Sequence, residues 1–353
     1  ISAMEALSGW TLDEGSVYKT TLTWDLGQQN FVMNGETACD LARWPNNTDG
    51  DPFTLNSLRN SGGSGSTVIT DAYLDYGEGI PDFDWSQGGS VFFYCDKAGW
   101  TAWKAFIKSS TSTRVSFDLN KNPTWIRTEH PPADLGDFYL EGIREAIDYD
   151  NEWYFHPATK TLYIQLPGGA EPQDGQISMR KRNIAIDLLG KEYIVIKNIQ
   201  VFGGSIRVNG SHNHLYGVYS YYGNHTRGVV TGFSANSEAV MLTGSYNTIE
   251  KCEIAYGSAT GVKFEGSYNR MINSSIHDFT YLGNYDAPVN MRGGSNSKLI
   301  RNTIYRGGRD CVQMFNRNSE IAYNDIYRSN LIADDCGLLY TVGGPYNMTI
   351  HHN

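Results

Sequence analysis

The sequence predicts an all-β protein, with a parallel β-helix over residues 189–353 and a β-sandwich-like domain over 10–188 before it. Three observations predict this. The phrase Gly-Ser-Tyr-Asn occurs at Gly244–Asn247 and again at Gly266–Asn269, with looser copies ending at Asn213, Asn296, Asn318 and Asn347. After the middle four copies comes an apolar residue, then another five positions on: Ile249/Ile254, Met271/Ile276, Leu299/Ile304 and Ile321/Ile326. Ile254 to Ile276 is 22 residues, Ile304 to Ile326 is again 22, and Ile276 to Ile304 is 28, one period plus six. A period of this size signals a solenoid. The segments are short, β-branched and punctuated by Gly and Asn, with no helical apolar run, so each coil is about three short strands that pair only with neighbouring coils.

Identical positions in such a stack lie about 4.8 Å apart. The Ile columns then form a continuous dry core. Asn columns can hydrogen-bond amide to amide while tolerating the left-handed backbone of a corner. Asn302, Asn324 and Asn353, two residues before the Ile column, are expected to form one such ladder.

The first half has a different composition. All eight Trp lie at or before Trp153. Phe31–Gly35, Val91–Tyr94, Trp153–Phe155 and Thr161–Ile164 read as strands, with turn clusters at Asn46–Gly50 and Pro167–Gly169. A short helical patch is expected around Asp96–Lys104. Ile1–Ser2–Ala3 begins abruptly, and His351–His352–Asn353 stops two residues short of the next expected core Ile. The chain therefore reads as a piece of a longer polypeptide, whose remainder would be a partner. Residues 1–9 would be a remnant of an earlier coil, 10–188 an insertion, and 189–353 a helix truncated at its C-terminal end.

The formal charge of −10 argues against nucleic acid as a partner. No run of 18 apolar residues offers a membrane span. The acidity is uneven: residues 251–353 hold 10 Lys and Arg against 9 Asp and Glu, so an anionic substrate remains open there. The five Cys show no metal-like CxxC spacing. Cys311 and Cys336 each follow an Asp and, on adjacent coils, would form either a disulfide or a pair of buried free thiols. Five Asn-x-Ser/Thr sequons, at Asn46, Asn209, Asn224, Asn273 and Asn347, are what an Asn-rich chain supplies by chance.

Insertions point to a cleft. Asn213 to Asn247 is 34 residues, Asn269 to Asn296 is 27 and Asn318 to Asn347 is 29. Each excess falls after the same strand, in Tyr219–Phe233, His277–Pro288 and Tyr327–Leu339. Three loops leaving one edge of a solenoid wall a single cleft, and function concentrates on loops held by a rigid scaffold. Random tolerance of insertions is the alternative. Aligning Val289–Asn290–Met291 with Val312–Gln313–Met314 puts Asp310 one coil beyond Asp286–Ala287. The phrase Asp310–Cys311–Val312 in turn matches Asp335–Cys336–Gly337. Asp286, Asp310 and Asp335 are thus expected near one column. Carboxyls on adjacent coils would be about 5 Å apart, and skipping a coil gives nearly 10 Å, the retaining and inverting separations of glycosidases. Crowded carboxyls raise one pKa and so supply a general acid. Their alternative reading is turn capping, or charge balance with Arg309 and Arg292.

Asp334 would face the other way in an extended segment. His277 is expected at the start of a long loop, and Asp278, aligned with Arg306 and Arg328, in a salt-bridge ladder. Tyr219, Tyr221, Tyr222, Tyr281 and Tyr285 offer sugar-binding ring faces on the same loops. A rival constellation is Lys263 with Arg292, one coil apart, which could abstract a proton beside a uronate carboxylate and stabilise the enolate. Such a lyase often needs acidic Ca²⁺ ligands, and only Glu265 lies near.

The repeats resemble the right-handed parallel β-helix superfamily typified by pectate lyases. Glu152–Trp153–Tyr154–Phe155–His156–Pro157–Ala158–Thr159–Lys160–Thr161–Leu162–Tyr163 resembles the EWY-D-x-x-T-x-x-LY phrase of β-helix glycoside hydrolases, with His156 where Asp is common. Ala42–Arg43–Trp44–Pro45–Asn46 resembles their AR-aromatic-PN segment. The resemblance covers most of the chain and implies a right-handed helix with a β-sandwich inserted near the N-terminus, as in β-xylosidase-like and fucosidase-like members. It also implies that paired acids on neighbouring coils do the chemistry, and Asp310 and Asp335 match that role.

The resulting expectation is a glycoside hydrolase acting on a plant or algal polysaccharide or its oligosaccharides. Asp310 would be nucleophile or base and Asp335 acid/base. Asp334, His277, Arg309 and Asp286 would orient them or the sugar, and Arg292, Lys263, Tyr222, Tyr281, Trp44 and Arg43 would bind substrate. A carbohydrate is the expected partner, without cofactor, metal, nucleic acid or membrane. The class implies a secreted or periplasmic protein. The alternatives are a lyase using Lys263 and Arg292 and a non-catalytic glycan-binding solenoid.

Overall fold

A computed structural model of the chain describes residues 1–77, 80–119, 124–226 and 237–353. Two compact units emerge. One holds Ile1–Met4, Arg182–His225 and residues 237–353; the other holds Glu5–Lys181 and Thr226. The first unit takes up the chain at Arg182, earlier than the expected 189.

That first unit is a parallel β-helix of three sheets, with seven, seven and six strands. Each coil visits them in the same order. The first sheet runs from Ile184–Asp187 to Leu339–Tyr340, the second from Val195–Lys197 to Thr349–His351, and the third from Gln200–Phe202 to Asp325–Tyr327. Inward columns match the sequence periodicity. Ile254, Ile276, Ile304 and Ile326 pair in turn along the third sheet. Ile249, Met271, Leu299, Ile321 and Ile350 pair along the second. Val240, Val262, Val289, Val312 and Leu339 pair along the first. The six extra residues between Ile276 and Ile304 leave the register untouched because they bulge outward. Apart from Ile326 and Leu339, which are partly buried, and Ile350, which is exposed, these side chains are buried, and each buried one contributes about 1.5–3 kcal/mol by leaving water.

The Gly-Ser-Tyr-Asn phrase is a corner between the first and second sheets, and each of its letters has a cause. A Cβ on Gly244 would sit 1.9 Å from the Gly210 carbonyl, and one on Gly266 equally close to that of Gly244, so only glycine lets successive coils approach. The Ser267 amide donates to Ser245 Oγ at 3.1 Å, and that of Ser295 to Ser267 Oγ at the same distance. The tyrosine position is left-handed: φ is 59° at His212 and Tyr246, 58° at Tyr193 and 60° at Tyr268. That backbone costs a non-glycine residue about 1 kcal/mol. Stacking offsets it, for the rings of Tyr193, His212, Tyr246 and Tyr268 lie parallel at 4.8, 4.9 and 4.7 Å. Asn213, Asn247 and Asn269 form a ladder in which each side-chain oxygen accepts the preceding coil's backbone amide.

The corner between the second and third sheets carries the expected amide ladder. Asn302 Nδ2 donates to Asn324 Oδ1 at 3.0 Å, and Asn324 Nδ2 to Asn353 Oδ1 at 2.8 Å. Such ladders satisfy buried backbone amides that would otherwise cost about 1–3 kcal/mol each.

The second unit is built of antiparallel-rich sheets. The central run of one sheet pairs Ser90–Cys95 with Gly136–Glu141 on one side and Ala102–Thr111 on the other. Another pairs Val17–Thr21, Thr161–Gln165 and Glu152–His156. Their apolar faces enclose an aromatic core that includes Trp85, Trp103, Phe93, Phe117 and Phe138. The helical patch expected around Asp96–Lys104 is a turn followed by the strand Ala102–Thr111. Lys104 points inward to Glu141, and that inward charge hides the alternation of the strand. The described α-helix is Thr124–Glu129. No helix of the described residues is long and apolar enough to cross a membrane.

Candidate active site

Alternation along a strand sends every second residue outward. On the first sheet the outward column runs Met241, Lys263, Asn290, Gln313, Tyr340. Among the described residues, the longest connections lead from the third sheet to the first. Those after Phe279 and Tyr327 span residues 280–288 and 328–338, whereas 258–259 and 308–311 are short. The loop expected over Tyr219–Phe233 lies partly outside the described residues. The long connections cover the outward column, so Asn290 is only 3% exposed and Gln313 is fully buried.

A polar chain runs across this floor. Asn290 Nδ2 donates to Gln313 Oε1 at 2.8 Å, and Gln313 Nε2 donates to Asp310 Oδ2 at 2.8 Å. Arg309 donates to the same Asp310 carboxyl. Its guanidinium lies over two rings, 4.1 Å from the centroid of Tyr285 and 4.5 Å from that of Tyr340. Arg309 and Asp310 are both fully buried. Burial pushes the Asp310 carboxyl up, and this outweighs Arg309, Gln313, the Gly337 amide and the Cys336 thiol, which all favour its charged form. Asp286, in the 280–288 connection, accepts from Thr260 Oγ1 at 2.9 Å.

The register of Val289 with Val312 sets Asp310 one coil beyond Ala287, as expected. The next coil departs from expectation. Val312 pairs with Leu339, so Gly337, not Asp335, falls beside Asp310. The repeated Asp-Cys phrase misleads by two residues, because the 328–338 connection folds on itself: Asn330 Nδ2 donates to the Asp334 carbonyl at 2.9 Å, and the amides of Ile332 and Ala333 both reach the Gly308 carbonyl. Asp334 and Asp335 are exposed on that connection. Asp335 directly precedes Cys336, whose thiol touches Asp310. The two carboxyls therefore share a locality but not a column. All five cysteines are free, and burial pushes the Cys311 and Cys336 thiols up to about 12.

Lys263 and Arg292 are not brought together as the lyase reading needs. Lys263 is in register with Asn290, two residues short of Arg292. Its ammonium sits 2.9 Å from Glu238 and 2.7 Å from Glu265. Burial works against its charge, but the two carboxylates prevail and hold it above the ordinary lysine range, the wrong direction for a base. Arg292 is exposed, with its guanidinium 5.7 Å from the Phe315 ring.

His277 lies within the strand Ser275–Phe279 of the third sheet, not at a loop start. It is 6% exposed, with Nδ1 2.6 Å from Asp278, Nε2 3.4 Å from Glu253 and its ring stacked 4.6 Å from Tyr305. Asp278 takes Arg306 Nε at 2.6 Å, the ion pair expected of that column. Burial raises the Asp278 carboxyl, but His277 and Arg306 together bring it below its ordinary value. Tyr281, 2% exposed against His225, is loop packing rather than a sugar platform. Tyr222 is half-buried, stacked 4.9 Å from Tyr256.

Arg43 and Trp44 belong to the second unit. Arg43 is 1% exposed, its guanidinium bonded to the carbonyls of Pro45, Leu55 and Asn56 and lying over Tyr139, so burial keeps it from a sugar. Trp44 packs against the aromatic core. Trp153, Tyr154, Phe155 and Pro157 of the quoted motif instead line a cavity of about 300 Å³ with Asp25 and Gln87. Sequence reasoning missed Asn290, Gln313 and Tyr340 as site residues. An amide at one outward position in two successive coils was the available signal. Among the described residues, no group of three or more His, Cys, Asp or Glu could hold a metal ion.

Residues 205–353 match the family described as right handed beta helix region, so this part of the chain is a right-handed β-helix. A solved structure described as a glycoside hydrolase is similar over 99% of this chain and 73% of its own, at 14% identity and a TM-score of 0.61. A complex of XylC with xylose is similar over 94% of this chain and 51% of its own, at 12% identity and a TM-score of 0.40. The tailspike protein gp49 from Pseudomonas phage LKA1 follows at 12% identity, 83% and 37% coverage and a TM-score of 0.24. The likeness to the glycoside hydrolase structure, at a TM-score of 0.61, shows the fold alone. No curated protein matches the sequence significantly.

Proposed function

We propose that the protein is a glycoside hydrolase that cleaves a plant or algal polysaccharide or its oligosaccharides on the outer face of the first sheet. The observation that carries this reading is the Asp310 carboxyl, buried and raised, next to the segment that bears exposed Asp335. A general acid must hold its proton near neutral pH while its partner stays ionised. Burial raises the Asp310 carboxyl in the direction that the acid's role requires, while Asp335 is exposed to solvent and so open to an incoming water or sugar. The roles are thus exchanged relative to the sequence expectation: Asp310 is the acid, and Asp335 the nucleophile or base. Cys336 and Gly337 cover Asp310, so a sugar reaches it only when the 328–338 connection shifts. Arg309, between Tyr285 and Tyr340, anchors that floor. The lyase alternative loses its base, because Lys263 is held charged by two carboxylates.

A glycan panel read by product mass tests the reading, with ultraviolet absorbance reporting any unsaturated uronate. Asp335→Asn is expected to lower kcat at least about 100-fold with unchanged thermal stability, since Asp335 is exposed. Full turnover in that variant, or an absorbing product from the native protein, overturns the assignment. Asp310→Asn is expected to abolish turnover as well, but it also leaves Arg309 buried without its charge partner, so it is read beside a melting curve.

A further inference from the structure

A second concave site lies on the corner between the second and third sheets, apart from the groove above. Its groove, of about 410 Å³, is lined by Tyr219, Glu253, Ser275 and Thr303, with Lys251 and Arg301 at its rim. The first four follow one another in register along the outward column of the third sheet. Successive steps are about 4.8 Å, close to the length of one sugar residue in an extended glycan. The column therefore presents one side chain per sugar along the helix axis.

The chemistry of each position is that of a sugar contact. Tyr219 is 49% exposed and offers a ring face. The hydroxyls of Ser275 and Thr303 are half-exposed on the floor and make no hydrogen bond to another described residue. Glu253 is already engaged by His277 Nε2 and the Tyr221 hydroxyl, so it walls the groove and its charge is shared. Lys251 and Arg301 are exposed and left-handed, with φ of 51° and 55°. Lys251 donates to Tyr216 Oη at 2.9 Å, and Arg301 lies 5.6 Å from the Tyr323 ring. Neither has a carboxylate at ion-pair distance among the described residues. They stand two coils apart with Asn273 between, about 10 Å, a separation that acids on an extended acidic glycan reproduce.

We propose that this groove binds an anionic oligosaccharide along the helix axis, non-catalytically. Tyr219 would lie under one ring, Ser275 and Thr303 would meet hydroxyls, and Lys251 and Arg301 would meet the acids. The site shares no residue with the Asp310–Asp335 floor proposed for hydrolysis, taking Tyr219 away from the cleft expected from the sequence, and stands or falls separately from it. The acid could be carboxylate or sulfate, and the probes separate the two.

The full chain is titrated calorimetrically with trigalacturonate, with a sulfated carrageenan tetrasaccharide and with neutral cellotetraose. One or both anionic probes are expected to bind, and the one that binds identifies the acid. The double variant Lys251→Asn/Arg301→Asn keeps a residue suited to left-handed corners and is expected to weaken binding at least about tenfold, the size of two exposed charge contacts. Raising salt to about 0.5 M, where charges are screened within a few ångström, should weaken it similarly. Tyr219→Ala is expected to weaken binding about fivefold, and Asp335→Asn to leave it unchanged. Failure of both anionic probes to bind, equal binding of cellotetraose, or full binding by the double variant overturns the proposal.

Discussion

The corners of the helix unit and the core of the sandwich unit bury polar groups by different means. In the helix, the same neutral group recurs at the same place: Asn302, Asn324 and Asn353 each satisfy a neighbour, and any one rung carries a small share. In the sandwich, each buried polar group is a single local solution. Lys104 meets Glu141 with both side chains almost wholly buried, Arg43 is bonded to carbonyls, and His130 is buried edge-on against Trp100 with neither ring nitrogen hydrogen-bonded to a described residue. Repetition at the corners spreads polar satisfaction over many weak contacts, whereas the irregular domain, like the buried Arg309–Asp310 pair beside the helix's long connections, stakes it on a few charged ones.

The sharpest test of that contrast is Lys104→Met. It strands the Glu141 charge in the core and is expected to cost about 3–5 kcal/mol. Urea unfolding followed by tryptophan fluorescence reads this unit alone, because every Trp lies in it. Lys104→Met/Glu141→Leu should restore most of the loss; a silent single variant would dissolve the distinction.

The next effect is pH-dependent. Burial pushes the His130 imidazole down to about 4, with a weak opposing contribution from the Ala98 backbone. An unfolded histidine titrates near 6.5. Between these values the unfolded chain binds more protons than the folded one, so stability rises with pH across that window. Acidification from about pH 6.5 to about pH 4 is expected to remove up to about 3 kcal/mol. His130→Phe should flatten the curve, measured as urea midpoints across pH.

The smallest effect belongs to the ladder. Asn324→Ala frees the Asn302 amide and is expected to cost about 1–2 kcal/mol, read as a shift in the far-ultraviolet melting curve. A loss near that of Lys104→Met would mean that the ladder is as concentrated as a buried ion pair.

The same contrast decides what was legible beforehand. Ile254 and Ile276 could be aligned by counting because a stack repeats its environment every coil, and the pairing matches that count. Counting failed where the coil changes length. Asp310 and Asp335 share a phrase, yet hydrogen bonds inside the 328–338 connection, not sequence likeness, set which residue meets the next strand. His277 was misplaced because Ser275–Phe279 continues past its core Ile276, as the equally long Glu253–Gly257 and Thr303–Gly307 do, and carries His277 outward into a packed aromatic row. Arg43 was taken as accessible because a sequence does not show carbonyls converging from Leu55 and Asn56.

The three corners of the coil differ in what they forbid. Two are zipped from coil to coil by asparagine and serine side chains, and they change length little: at the first of them the connections are 265–269, 292–297 and 341–348. The third, turned by Tyr222, Tyr256, Asp278, Arg306 and Arg328, has no such zip among the described residues, and it is where the chain lengthens most. Variation is thereby channelled to the one rim that faces the proposed groove, and a lineage can recut its specificity there while the spool beneath keeps its thread count.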